Sequence, residues 1–195
     1  MGNLLPKEKY AMAAILGLET QKIEQICKNI QKEGKFLVPA NYNCSSQTVI
    51  SGEENAIEQA TEKMKEAGAK KVVTLKTSGP FHTIKLEEAK KAFEKELEKV
   101  EFNINQDNKC KVIKNIDGTF YSESDNIKEI LARHIISPVR FDKAIELMKK
   151  EEIEEYIEIG PGKTLTGFIK KENKEANTIN INNIETLEKY LDSKK

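Results

Sequence analysis

Residues 11–76 read AMAAILGLETQKIEQICKNIQKEGKFLVPANYNCSSQTVISGEENAIEQATEKMKEAGAKKVVTLK, and their rhythm decides the fold. Ala11 to Leu16 is a short apolar run, so a strand. Gly17-Leu18-Glu19-Thr20 turns the chain into a helix, in which Ile23, Ile26, Cys27 and Ile30 recur at i, i+3, i+4 and i+7 on one face. Gly34 ends that helix. Phe36 to Ala40 predicts a second strand, Asn41 to Ser46 a polar turn, and Gln47 to Ile50 a third strand. Ser51 and Glu54 have the spacing of a capping box. The helix after them places Ile57, Ala60 and Met64 on one side and stops at Gly68, and Lys71 to Leu75 is a fourth strand. The order βαββαβ is the ferredoxin-like arrangement, a four-stranded antiparallel sheet with two helices over one face.

From Ser78 onward the rhythm changes. Leu86, Ala89, Phe93, Leu97 and Val100 mark a helix, and Lys111-Val112-Ile113 a strand before a turn at Asp117-Gly118. Ile127, Ile130, Leu131 and His134 share the face of a helix that must end before Pro138. Phe141, Ala144, Ile145 and Met148 mark another helix. Tyr156 to Ile159 is a strand that meets Gly160-Pro161-Gly162, and a short helix, a strand at Thr178 to Ile181 and a last helix around Leu187 and Leu191 follow. Alternating strand and helix predict a parallel α/β layer, here with few strands for a complete sheet. The fold class is therefore α/β (α+β), with a small subdomain over 11–76 and a portion of a larger one over 77–195.

Thirty-two Lys and Arg balance thirty-two Asp and Glu, so no field argues for nucleic acid or a membrane surface as partner. No apolar stretch approaches the roughly 18 residues of a spanning helix, and Met1 to Lys7 lacks the pattern of a signal peptide. Cys27, Cys44 and Cys110 are odd in number and widely spaced; they predict free thiols in a reducing cytoplasm, with no metal pattern.

Of the two histidines, His82 follows a strand in the turn Ser78-Gly79-Pro80-Phe81-His82, where a scaffold can fix the ring and leave one nitrogen free for proton transfer. A surface histidine in a turn is the bland alternative. His134 lies on an apolar helix face, the position of a core histidine satisfied by one hydrogen bond. Gly160-Pro161-Gly162-Lys163-Thr164 lacks the upstream glycine of a phosphate loop, since position 157 is Ile. It reads as a tight strand-to-helix turn with a weak preference for an anion. No Gly-x-Ser-x-Gly nucleophile elbow occurs in the 195 residues. Cys44, in the polar turn, is a remote candidate thiol.

Four segments together resemble the bacterial malonyl-CoA:acyl carrier protein transacylases. They are Ala11 to Leu18; Pro39-Ala40-Asn41-Tyr42-Asn43 with Gln47 to Gly52; Ser78-Gly79-Pro80-Phe81-His82; and Glu158-Ile159-Gly160-Pro161-Gly162-Lys163. Each alone is a weak signal; all four in order and register are specific, and the likeness runs over nearly the whole chain.

The resemblance implies a ferredoxin-like subdomain set into a larger α/β-hydrolase-like one, of which this chain would hold the C-terminal part. It implies acyl transfer from malonyl-CoA to acyl carrier protein through a serine ester, without a cofactor and in the cytoplasm. His82 maps onto the general base of the family. The residue three before Ser137-Pro138-Val139-Arg140 lends its backbone carbonyl to orient that base, and here it is His134, which would matter through its C=O rather than its imidazole. Phe81 beside His82 implies a malonyl preference, and Asn43 a weaker contact with substrate. The turn Cys44-Ser45-Ser46-Gln47 departs from the usual Ser-Pro-Gly-Gln, and Thr83 stands where Ser is usual. The serine and the arginine that clamps the malonyl carboxylate have no counterpart here; Arg133 and Arg140 do not map onto the clamp. The expectation is a truncated chain, inactive alone, whose partner would be a separate N-terminal half carrying the serine. The competing reading is a non-catalytic ferredoxin-like binding module.

Overall fold

A computed structural model describes residues 5–6, 9–77, 79–102 and 110–195. Ser78 and the first four residues, which figure in the motifs above, lie outside the described residues. The chain divides into two compact units, 1–144 and 145–195.

In the first unit, β1 (Tyr10–Leu16), α1 (Thr20–Lys32), β2 (Leu37–Cys44), β3 (Gln47–Glu53), α2 (Glu54–Glu66) and β4 (Lys71–Thr74) follow one another in the expected order. The strands lie as β4-β1-β3-β2, all antiparallel, and β5 (Val139–Arg140) adds to the β2 edge in parallel through Asn41 and Tyr42. The sheet thus has five strands where the sequence pattern gave four. Alternation along β1 divides its side chains. Ala13 and Ile15 join Ile23, Cys27 and Ile30 of α1, Ile57, Ala60 and Met64 of α2, and Leu37 and Ile50 in one core. Met12 and Ala14 face the other way, with Ala40 and Val49. Both faces of the sheet are therefore apolar and covered.

Three local expectations are corrected. The polar stretch from Asn41 is strand as far as Cys44, bulged twice, and the turn is only Ser45-Ser46. Ser51 does not cap α2: it lies inside β3, fully buried with its hydroxyl unpartnered among the described residues, and Glu53 is the N-cap. Lys111 to Ile113 forms no strand, only a bridge between Ile113 and Phe120. After β4 the chain makes a 3-10 turn (Ile84–Leu86), then α3 (Glu87–Glu98) and α4 (Ile127–Ile136), which pack together. Lys114, nearly buried, holds the intervening loop by ion pairs to Asp125 at 3.0 Å and Asp117 at 3.7 Å.

The helix α5 (Phe141–Lys150) carries the chain into the second unit. There β6 (Glu155–Ile159) and β7 (Asn177–Ile181) pair in parallel, with α6 (Thr164–Glu172) between them in sequence and α7 (Ile184–Asp192) after them. A capping box between Asn183 and Thr186 starts α7, yet α7 buries no residue, and Ile184, Leu187 and Leu191 form an exposed apolar stripe. Glu158 accepts hydrogen bonds from the backbone N–H of Leu165 (3.1 Å) and Thr166 (2.8 Å). The anion preference of the Gly160-Pro161-Gly162 turn is met from inside the chain.

Gly52 faces Leu37 across the β2–β3 pair, and a Cβ there would strike the Phe36 carbonyl oxygen and come within 2.9 Å of the Leu37 Cα. Those are backbone atoms and cannot swing aside. Gly52→Ala is expected to lower the unfolding free energy by about 1–3 kcal/mol, read from the shift in a urea unfolding midpoint at unchanged slope.

Candidate active site

His82 is held by its turn. Gly79 and Pro80 are buried, the Phe81 N–H donates to the Gly79 carbonyl at 3.0 Å, and Phe81 packs on the face of the sheet that carries Met12, Ala14, Ala40 and Val49. Thr83, buried, closes the turn from the other side: its hydroxyl donates to the Pro80 carbonyl (2.8 Å) and accepts from the Lys85 N–H (3.3 Å), so that it also caps the 3-10 turn. The resemblance notes Thr83 only as standing where Ser is usual; its place in the turn is visible only in three dimensions. Between these anchors His82 has φ of +58°, a left-handed backbone that glycine adopts freely and other residues at a cost, Asn, Asp and His most often among them.

The second component comes from α4. Its last turn ends at Ile136, and the chain then enters β5 through Ser137-Pro138. The His134 carbonyl, free at the helix end, lies 3.2 Å from the His82 Nδ1 and also accepts from the Ser137 N–H at 3.4 Å. A carbonyl only accepts, so this bond requires the proton on Nδ1 and leaves the lone pair of Nε2 available. Burial holds the His82 imidazole below the usual histidine range, against the backbone of His134 and Ser137, which favours the charged ring. A histidine that stays neutral at physiological pH, with one nitrogen tied to an acceptor, can take a proton from a hydroxyl or thiol.

The His134 ring is not the satisfied core histidine that its helix position suggests. Its Nε2 is buried without a partner among the described residues, and its centroid is 5.0 Å from that of His82 at a tilt of 36°. Burial, with the charge of His82 second, lowers its tendency to protonate. Phe81, His82, Leu5, Leu86, Ala89 and Ile135 line an apolar cavity of about 120 Å³. Asn43 stands at the end of β2 with its amide donating to the Gln47 side chain at 2.8 Å, bracing the hairpin. Cys44 is buried at the strand end, 3.5 Å from the Ser46 hydroxyl. Arg140 makes a two-point pair with Asp142 (3.0 and 2.8 Å) and stacks on Tyr42; Arg133 is exposed near Glu129. Among the described residues no cluster could hold a metal ion, and no helix is long and apolar enough to cross a membrane.

Both imidazoles titrate lower in the fold than the ordinary value of 6.5. The unfolded chain therefore takes up protons first as pH falls, so stability is full above about 6.5 and is lost as pH drops through that value. The unfolding midpoint is expected to fall between pH 7.5 and 5.5, and the double variant His82→Asn, His134→Gln to lose much of that dependence. An equal slope in both proteins would show that the histidines are not its source.

No family model matches the chain. Over 188 residues it is 39% identical to a malonyl CoA-acyl carrier protein transacylase of Bacillus subtilis, an alignment covering 96% of this chain and 58% of that one. The crystal structure of a malonyl CoA-acyl carrier protein transacylase from Clostridium perfringens superposes with a TM-score of 0.90 at 36% identity, covering 99% of this chain and 60% of the other. A malonyl-transacylase solved in complex with a type II PKS acyl-carrier protein superposes at 0.89 with 30% identity, over 98% and 60%. Along nearly its whole length, the chain is similar to the malonyl CoA-acyl carrier protein transacylases, and it spans about 60% of theirs.

Proposed function

We propose that these residues form part of an acyl carrier protein S-malonyltransferase, with His82 as general base and the His134 carbonyl as its orienting group. The observation that carries this reading is the His82 Nδ1 held 3.2 Å from an acceptor-only group, on a left-handed residue, in a chain related to transacylases. Residues 11–76 would be the small subdomain and 77–195 the C-terminal part of the large one.

In this mechanism a serine from outside these 195 residues lies against the His82 Nε2. His82 takes the hydroxyl proton as the oxygen attacks the malonyl thioester carbon. The tetrahedral adduct collapses, the C–S bond breaks, and His82 returns the proton to the leaving coenzyme A thiol. The second half repeats these steps with the thiol of acyl carrier protein as nucleophile and the serine as leaving group. The His134 carbonyl favours the imidazolium formed in between, as a carboxylate does in other serine enzymes. Phe81, beside His82, is the candidate contact that favours malonyl, and Asn43 stands at the hairpin as another candidate contact.

Without the serine the chain alone should not acquire a malonyl group, since loss of a nucleophile costs on the order of 10⁶ in turnover. Incubation with radiolabelled malonyl-CoA and denaturing electrophoresis reads this directly; a stable label on the 195-residue chain would make Cys44 or another side chain the acceptor.

Supplying the unmatched part of the Bacillus subtilis relative, in trans or by fusion, is expected to restore malonyl transfer once a soluble complex has been isolated. His82→Ala should then lower the rate on the order of 10² to 10⁴, while His134→Gln, which keeps the carbonyl, lowers the maximal rate far less. The reverse ranking would overturn the assignment of roles.

A further inference from the structure

The carbonyl of His134 accounts for only half of what that residue places beside His82. Its ring lies against the base, 5.0 Å between centroids, and its Nε2 is sealed from solvent with no hydrogen-bond partner among the described residues. An imidazole turned inward and left unsatisfied is costly where a hydrocarbon would pack. At this spot it adds something that hydrogen bonding does not: a flat surface on the one ring of the site that must not rotate.

We propose that the His134 imidazole is a positioning residue that packs on the His82 ring, keeps the Nδ1 of that ring on the carbonyl and shields it from water. It rests on the reading of His82 as base, and it assigns a role to a side chain where that reading uses only a backbone atom. The burial that disfavours the charged form of His82 would come in part from this ring. Once His82 is charged it opposes a second proton on His134, so the pair takes up its protons one after the other.

Among the described residues, these charged groups on the surrounding elements have partners elsewhere. Lys85, next to the turn, lies over the Tyr10 and Phe36 rings; on α3, Lys90 pairs with Glu87 and Glu94, and Lys91 with Glu88. On α4, Arg133 reaches Glu129 and Lys128 donates to the Glu98 carbonyl; beyond β5, Arg140 is held by Asp142. The cavity side presents Leu5, Phe81, Leu86, Ala89 and Ile135.

The chain has only two histidines, so NMR of histidine-labelled protein reads each ring separately. In the unaltered chain, ring-to-ring Overhauser contacts between His82 and His134 are expected, with a His82 titration midpoint below 6.5. His134→Gln should move that midpoint up towards 6.5, and His134→Phe, which restores a flat ring without a titrating group, should hold it down. Absent ring contacts, a midpoint indifferent to His134→Gln, or one raised as much by Phe as by Gln would each overturn the inference. Such a result with acyl transfer still dependent on His82 in the reconstituted enzyme would sink this inference alone. Transfer that survives His82→Ala would instead sink the functional reading.

Discussion

The pairing of β1 between β3 and β4 is the constraint on which the candidate site depends. It fixes which side chains of β1 face the helices and which face away, and a slip of one residue would exchange them. The outward set, Met12 and Ala14 with Val49 and Ala40, is the floor on which Phe81 rests, and Phe81 precedes the base. At the far edge of the same sheet, Asn41 and Tyr42 hold β5, and β5 follows α4 by two residues. One sheet thus delivers both components of the site, the His82 ring from its face and the His134 carbonyl from its edge. Neither depends on a long flexible side chain for its placement.

Much of this was legible in the sequence because the decisive elements are long and periodic. The helices α1 and α2 bury the residues that their spacing marks, and β1, β3 and β4 are apolar runs ended by glycine or polar residues. What escaped is short or ambiguous. Two residues after a proline, Val139 and Arg140, carry no period, so nothing announced β5. Asn41, Tyr42 and Asn43 look like turn residues but lie beside the sheet edge, where bulges and half-burial tolerate polar side chains. Ser51 and Glu54 satisfied a spacing rule that takes no account of a strand running through the serine.

At the site, the motif gave the residues and the fold gave their relation. The 3.2 Å bond between His82 and the His134 carbonyl joins positions 52 apart in sequence, and only the resemblance to transacylases joined them beforehand. The packing of the two rings had no sequence signal, since a histidine on an apolar helix face reads as ordinary core. Thr83 differs from serine at this position, yet its use lies in the hydroxyl that both residues share.

The left-handed backbone at His82 bears on how this position can drift. Glycine would relax the turn, but it offers no nitrogen that titrates near neutral pH. A lineage that eased the strain would lose the imidazole in the same step, and one that kept the imidazole would keep the strain. Selection on the turn and selection on the ring therefore pull in opposite directions at one codon. Persistence of histidine there in any descendant becomes a record that the ring was still in use.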